Sequence, residues 1–169
     1  MPESERDGRA RGTARPRVVV IGVGNGLRGD DGAGLEVVRS LTARARAEAI
    51  EVREQEGEAL GLLEQWEGAA GAVLVDAIHS GAPAGTIHRV DASAGPIPAL
   101  LASSSSTHAV GVGEAVELAR ALGRLPRTTI LYGIEGVRFD AGGDISPEVR
   151  AAIPALAAAV LAQARELSR

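Results

Sequence analysis

The chain contains no cysteine. This absence excludes disulfide bonds, thiolate nucleophiles and zinc or iron sites held by sulfur. Any metal ion that the protein binds must therefore be held by histidine, aspartate or glutamate side chains.

Aromatic side chains are scarce as well, at 2% of the residues. Stacking surfaces for nucleobases are therefore lacking, and the core must be built from valine, isoleucine, leucine and alanine. The net charge is −4, and five of the arginines lie within the first 17 residues, so the rest of the chain is more acidic still. This charge distribution predicts no nucleic-acid partner.

Long apolar runs are also missing from the sequence. No stretch approaches the ~18 apolar residues that a membrane-spanning helix needs, and the N-terminus lacks the apolar segment of a signal peptide. We therefore predict a cytoplasmic protein with no membrane partner. The 169 residues are enough for one domain. Residues 1–16 are predicted to form a disordered leader and residues 17–169 a single domain.

The first half of the chain alternates apolar strands with amphipathic helices. Leu35, Val38 and Leu41 recur at helical spacing after a first strand that is apolar from residue 18 onward and of the kind that is buried in parallel sheets. The resulting βαβαβ pattern indicates an α/β fold with a doubly wound sheet. The predicted elements are strands at residues 17–23, 50–55 and 72–78 and helices at residues 31–49 and 58–66.

A fourth strand, at residues 86–92, follows the third after only a few residues. A parallel crossover needs a dozen or more residues, so this strand must run antiparallel to its predecessor. The last helix is predicted to begin with Ser146 as its N-cap and Pro147 at its first position, and Pro154 to kink or split it. The remaining predictions are an irregular loop at 93–107, a helix at 110–122 and a strand at 128–134.

Three polar side chains are candidates for a metal site. Asp31 follows the first strand, Asp76 lies at the end of the third, and His108 precedes the helix that leads to the fifth. Ligands of open α/β sheets bind at the carboxyl ends of the strands, where the strand order reverses. We therefore expect these groups to converge, and two carboxylates with an imidazole suit a first-row divalent ion. Structural roles stay open, since Asp31 could cap a helix, Asp76 could bond loop amides and His108 could face solvent.

The turn after the first strand also matches the pattern G-x-G-x-x-G at residues 24–29, which cradles the pyrophosphate of dinucleotides. Asp30 and Asp31 follow at the helix N-terminus, where the pyrophosphate would sit. A carboxylate about 4 Å from a phosphate costs about 1 kcal/mol even in water. Nucleotide binding is therefore disfavoured, although Glu54 and Glu56 could contact a ribose. Asp30 is predicted to cap the helix.

Three further polar residues lie near this predicted edge of the sheet. His79 and His88 are both expected to face solvent, with His79 close enough to Asp76 to support a metal ligand. Glu135 follows the fifth strand. It is interpreted either as a substrate-binding residue or as an exposed loop glutamate.

Four segments together resemble the hydrogenase maturation endopeptidases. They are "GVGNGLRGDDGAG" after the first strand, "VLVDAI" in the third, "STHAVGV" before the long helix, and "GIEG" followed by "ISPEV" near the end. The resemblance covers residues 17–165. It implies a three-layer α/β/α sandwich with a five-stranded mixed sheet in which strand four is antiparallel. It also implies that Asp31, Asp76 and His108 are the catalytic and metal-contacting residues. Many relatives carry glutamate at the position of Asp31, whose carboxylate is set back by about one C–C bond.

The function implied by the resemblance is cleavage of the C-terminal extension from a nickel-loaded large-subunit precursor of a nickel-iron hydrogenase. The precursor is the expected partner and supplies the nickel, other divalent ions could take its place, and the protein is expected to be a monomer. An aspartyl-type and a nickel-assisted mechanism stay open, whereas a zinc-protease H-E-x-x-H helix and a G-x-S-x-G elbow are missing from the sequence. The alternatives are a metal-binding assembly chaperone that does not cut, a dinucleotide-binding protein, and a protease with a different protein substrate.

Overall fold

The computed structural model describes residues 16–56, 58–99 and 110–169. Residues 1–15 of the predicted leader and residues 100–107 of the predicted loop lie outside these ranges. In the described part of the chain, the helices are too short or too polar to cross a membrane. The strands are β1 (Val18–Gly24), β2 (Glu51–Glu56), β3 (Gly71–Ile78), β4 (Ile87–Asp91) and β5 (Thr128–Glu135), and the helices are α1 (Ala33–Ala47), α2 (Leu62–Gln65), α3 (Val112–Ala121) and α4 (Pro147–Leu167).

The five strands form one mixed sheet in the order β2-β1-β3-β5-β4. Strand β1 pairs in parallel with β2 and β3, and β3 pairs in parallel with β5. Strand β4 pairs antiparallel with β5, which confirms the predicted direction of the fourth strand. Residues 79–86, which join β3 to β4, are too few for a parallel crossover. The strand order reverses between β1 and β3, and open α/β sheets bind their ligands at the carboxyl ends of the strands at such a point.

Helices cover both faces of the sheet, which confirms the three-layer α/β/α sandwich. Helices α1 and α4 pack against one face, to which β1 contributes Val20 and β3 contributes Val73. Helices α2 and α3 pack against the other face, with Ile21 and Leu74 from the same strands. Neighbouring residues of one strand enter opposite cores because strand side chains alternate in direction. This two-sided burial explains why β1 is apolar throughout and why β3 is apolar apart from Asp76.

Two glycines let helix α1 approach the sheet closely. A Cβ atom on Gly34 would overlap the carbonyl oxygens of both Val23 and Val75, and one on Gly22 would lie 2.6 Å from the Val38 side chain. Only glycine fits where a helix and two strands come this close. The start of α1 is therefore held across β1 and β3, and the turn that precedes it is held with it.

Helix α4 begins as the sequence predicts, with Ser146 at the N-cap position and Pro147 first in the helix. The helix then continues over 21 residues through Pro154, so the predicted split does not occur. Proline removes one backbone hydrogen bond from a helix interior. Burial of Val149 and Leu156 on either side of Pro154 holds the two parts against the sheet.

Candidate functional site

Asp31 and Asp76 lie together at the carboxyl edge of the sheet, where the strand order reverses between β1 and β3. Asp31 belongs to a 3₁₀ turn, Gly29–Gly32, that links β1 to α1. Asp76 lies near the end of β3. Each residue is only 5% exposed. The structure therefore brings together two of the three residues that the sequence predicts for a metal site.

The shape of the turn after β1 depends on Gly24. This residue has φ of 147°, and a Cβ atom there would overlap the carbonyl oxygen of Asp31. The turn is closed by two backbone hydrogen bonds, from the Asn25 N–H to the Asp31 carbonyl at 3.3 Å and from the Asp31 N–H to the Arg28 carbonyl at 3.2 Å. A glycine in this conformation lets the chain double back over itself. The turn thereby places Asp31 beside β3.

The two carboxylates are electrostatically coupled. Burial raises the pKa of Asp76 well above its usual value, the negative charge of Asp31 raises that pKa further, and a hydrogen bond from the Ala77 N–H opposes both effects. Two acids held together away from water favour either a shared proton or a bound cation. Carboxylate oxygens are ligands for divalent ions, so this pair fits part of a metal site.

The third predicted residue, His108, lies outside the residues that the structure describes. Its convergence with Asp31 and Asp76 stays a prediction. Within the described ranges, no group of three or more histidine, aspartate or glutamate side chains is placed to hold a metal ion.

Asp30 does not cap helix α1, contrary to the prediction. The N-cap position of α1 is Gly32, and no side chain bonds to the helix start there. The Asp30 carboxylate instead accepts hydrogen bonds from the backbone N–H groups of Val137 (2.8 Å), Arg138 (2.9 Å) and Ser146 (2.6 Å), and from the Ser146 hydroxyl (3.0 Å). Burial alone would raise the pKa of Asp30, but these four hydrogen bonds together lower it.

Asp30 therefore holds the segment after β5 against the turn that carries Asp31. Further contacts join the same two segments, including the Arg28 guanidinium with the Phe139 carbonyl oxygen at 3.1 Å and the Gly142 N–H with the Leu27 carbonyl oxygen at 2.7 Å. No local sequence signal indicates this role, because the partners of Asp30 lie more than 100 positions away in the chain.

Glu135 is fully buried at the end of β5, so it is not the exposed loop glutamate that one interpretation expected. His88 was expected to face solvent, yet its side chain is only 25% exposed and its Nε2 atom lies 3.6 Å from Glu135 Oε2. His79 does face solvent, with 59% of its side chain exposed, and its Nδ1 atom lies 4.0 Å from Glu135 Oε1. Glu135 thus lies between the two histidines.

The glycine-rich turn offers little room for a pyrophosphate. Asp30 and Asp31 are both buried directly before α1, where a dinucleotide would need open N–H groups and no negative charge. A Cβ atom on Gly29 would lie 2.6 Å from the Arg138 carbonyl oxygen. The third glycine of the pattern therefore serves the contact with the segment after β5.

Comparisons with known proteins agree on one family. The model described as HycI, hydrogenase maturation protease, matches residues 35–163. The hydrogenase expression/formation protein HupD of Thiocapsa roseopersicina is 31% identical over 138 residues, which are 80% of this chain and 62% of the relative, so the match spans less than two thirds of that protein. The hydrogenase 2 maturation protease of Escherichia coli is 28% identical over 153 residues, which cover 89% of this chain and 92% of the relative.

The fold is also that of solved structures. The hydrogenase maturating endopeptidase HybD from Escherichia coli superposes with a TM-score of 0.72 at 26% identity, over 89% of this chain and 93% of the other. The shared fold extends over nearly the whole of both chains.

Proposed function

Because this chain belongs to the hydrogenase maturation protease family, we propose that it is an endopeptidase that cleaves the C-terminal extension from a nickel-loaded large-subunit precursor of a nickel-iron hydrogenase. The observation that carries this proposal is the pair of buried carboxylates, Asp31 and Asp76, at the carboxyl edge of the sheet. Burial, and then the negative charge of Asp31, raises the pKa of Asp76, so a bound cation would stabilise the charged pair.

The nickel ion in this proposal belongs to the substrate. Asp31 and Asp76 supply oxygen ligands from this chain, and His108 supplies an imidazole nitrogen. Mixed nitrogen and oxygen ligands suit a first-row divalent ion such as nickel. A precursor without nickel lacks the group that these residues recognise, so cleavage would follow metal insertion. The bound ion thereby reports that the large subunit is ready for processing.

The test is to incubate the purified protein with nickel-loaded and with nickel-free precursor and to weigh the products by mass spectrometry. We expect the loaded precursor to lose the mass of its C-terminal extension and the nickel-free precursor to stay intact. Loaded precursor that binds but keeps its full mass would instead favour a non-cutting assembly chaperone. Equal cleavage of both forms would contradict recognition through nickel.

We also propose that the protein acts in the cytoplasm as a monomer. The precursor of this proposal receives its metal before processing, so the two proteins must share a compartment. Cell fractionation tests this point, because the protein should be recovered with the unprocessed precursor.

A further inference from the structure

His79 is an exposed histidine that is nevertheless held in a fixed orientation. It follows β3 directly, at the same edge of the sheet as Asp76. Its side chain is 59% exposed. Its ring packs edge-on against Phe139, with the ring centroids 6.0 Å apart, and its Nδ1 atom lies 3.3 Å from the Gly136 carbonyl oxygen. These contacts involve Nδ1 and the packing on Phe139, and more than half of the side chain stays accessible to solvent.

The contact with Gly136 decides which ring nitrogen can accept a hydrogen bond. A carbonyl oxygen only accepts, so Nδ1 must be the donor in this pair. In the neutral imidazole the lone pair then lies on Nε2. Histidines that bind metals or substrates are commonly oriented in this way, with one nitrogen bonded to a backbone carbonyl and the other turned to the ligand.

Glu135 fixes the backbone that directly follows His79. Its carboxylate accepts hydrogen bonds from the N–H groups of Ser80 and Gly81 and from the Ser80 hydroxyl, each at 2.8 Å. Its own backbone also bonds the end of the same connection, through the Gly85 N–H at 2.8 Å. The fully buried carboxylate of Glu135 thus binds the segment between β3 and β4.

The segment after β5 contacts both His79 and the turn that carries the aspartates. Gly136, which orients the imidazole, precedes Val137, whose N–H bonds to Asp30 at 2.8 Å. Asp30 is the neighbour of Asp31 in the turn. His79, Asp31 and Asp76 are not placed as a group that could hold a metal ion, as far as the described residues show. Because His79 directly follows β3, at the same edge of the sheet as Asp76, its imidazole can contact a peptide bound at that edge.

We propose that His79 is a substrate-contacting residue whose Nε2 accepts a hydrogen bond from a peptide N–H of the precursor's C-terminal segment, and that Glu135 is its positioning residue. The inference rests on the proposed function, since it names a further contact in the same processing site. An extended peptide tail presents backbone N–H donors, and a fixed acceptor aligns it with little loss of side-chain entropy.

The experiment compares two substitutions of His79 on nickel-loaded precursor. His79→Asn keeps a polar group near the position of Nδ1 but removes the acceptor at Nε2, whereas the longer side chain in His79→Gln carries an amide oxygen to about that position. We expect His79→Asn to lower kcat/KM about tenfold, mainly through KM, and His79→Gln to restore most of the loss. Asp140→Asn, which alters an exposed side chain in the segment after β5, is the control and should cleave as the wild type does.

The positioning role of Glu135 is tested by combining its substitution with that of His79 in a double-mutant cycle. Glu135→Ala should lower kcat/KM in the wild type but cause no further loss in the His79→Asn background, because the two residues act through one contact. Glu135→Gln, which still offers an acceptor to the Ser80 and Gly81 N–H groups, should restore cleavage. Losses that simply multiply in the double variant would overturn the positioning role.

Other outcomes separate this inference from the proposed function. Cleavage by His79→Asn at the wild-type KM and kcat would overturn the role of His79 and leave the protease assignment intact. Equal impairment of both His79 variants, with a lowered thermal unfolding midpoint, would show a packing role and also overturn the inference. A wild-type protein that neither cuts nor binds loaded precursor would refute the proposed function, and the inference with it.

Discussion

Asp30 and Asp31 are adjacent and both buried, yet their surroundings differ. The Asp30 carboxylate is surrounded by hydrogen-bond donors, which lower its pKa despite burial. Asp31 instead lies close enough to Asp76 for its charge to raise the pKa of that second acid. Donors that satisfy a carboxylate stabilise the fold, whereas an acid pair destabilises it until a proton or a cation arrives. Asp30 therefore has a structural role, whereas Asp31 belongs to the candidate site.

Replacing Asp30 by asparagine should destabilise the protein by about 2 kcal/mol. The amide has one oxygen in place of two, so one of the N–H donors now bonded to Asp30 would face an NH₂ group. The measurement is urea unfolding, with the slope expected to stay constant. Asp140→Asn is the control, because Asp140 is exposed in the same segment, and it should change stability by less than about 0.5 kcal/mol.

Replacing Asp76 by asparagine should preserve the stability of the fold and impair cleavage. Asparagine has nearly the same shape and no charge, so the repulsion from Asp31 disappears and the free energy of unfolding should stay unchanged or rise by about 1 kcal/mol. Cleavage of loaded precursor should fall about 100-fold or more. Urea unfolding and the precursor assay measure the two effects separately. A variant that unfolds early, or one that cleaves normally, would contradict the assignment of Asp76 to the site.

At two residues of the sheet edge, the sequence was insufficient to predict the burial of the side chain. Glu135 and His88 were both expected to be accessible, and both are largely buried because β4 returns antiparallel beside β5 and sets His88 opposite Gly133. The direction of β4 followed from the length of its connection, but the burial of one side chain against another depends on packing between distant segments. The charged residue type alone favoured exposure.

At the scale of elements, the junction of β1 and α1 determines the site. The strand and the helix follow from the apolar run and from helical spacing, and both were predicted to within a few residues. The close contact between the strand and the helix was not predicted, because it depends on Gly22 and Gly34 facing each other across the junction. For Pro154 a local rule predicted a kink or a split, and the helix continues through this residue without a split.

Replacing Gly34 by alanine should therefore destabilise the fold by about 2 kcal/mol. The added methyl group would overlap two carbonyl oxygens and force α1 away from β1 and β3, and such overpacking commonly costs about 1–3 kcal/mol. Urea unfolding measures the loss. Gly95→Ala is the matched control, since nothing lies within 4 Å of a Cβ atom there, and its effect should be below about 0.5 kcal/mol. Equal stability of both variants would rule out a tight junction.

At the scale of the whole molecule, the sequence predicted a doubly wound sheet, the direction of the fourth strand and the edge on which Asp31 and Asp76 meet, and the family resemblance implied the three layers. These features follow from chain connectivity, which the pattern of apolar residues and connection lengths encodes. The contacts that hold the edge together, such as those of Asp30, join segments more than 100 positions apart. The predicted convergence of His108 still awaits a direct test, which the complex with the precursor provides.

The protein should be monomeric alone and should bind one nickel-loaded precursor, with affinity that depends on Asp31. If the ion is shared between both proteins, removing one carboxylate ligand weakens the complex, and we expect Asp31→Asn and His108→Ala each to lower affinity at least about tenfold. Size-exclusion chromatography with light scattering, run immediately after mixing in the cold, measures the stoichiometry, and a titration measures the affinity. Asp140→Asn should bind as the wild type does. Nickel-free precursor that binds as tightly as the loaded form would show that the partners meet through other surfaces and that the ion is not shared.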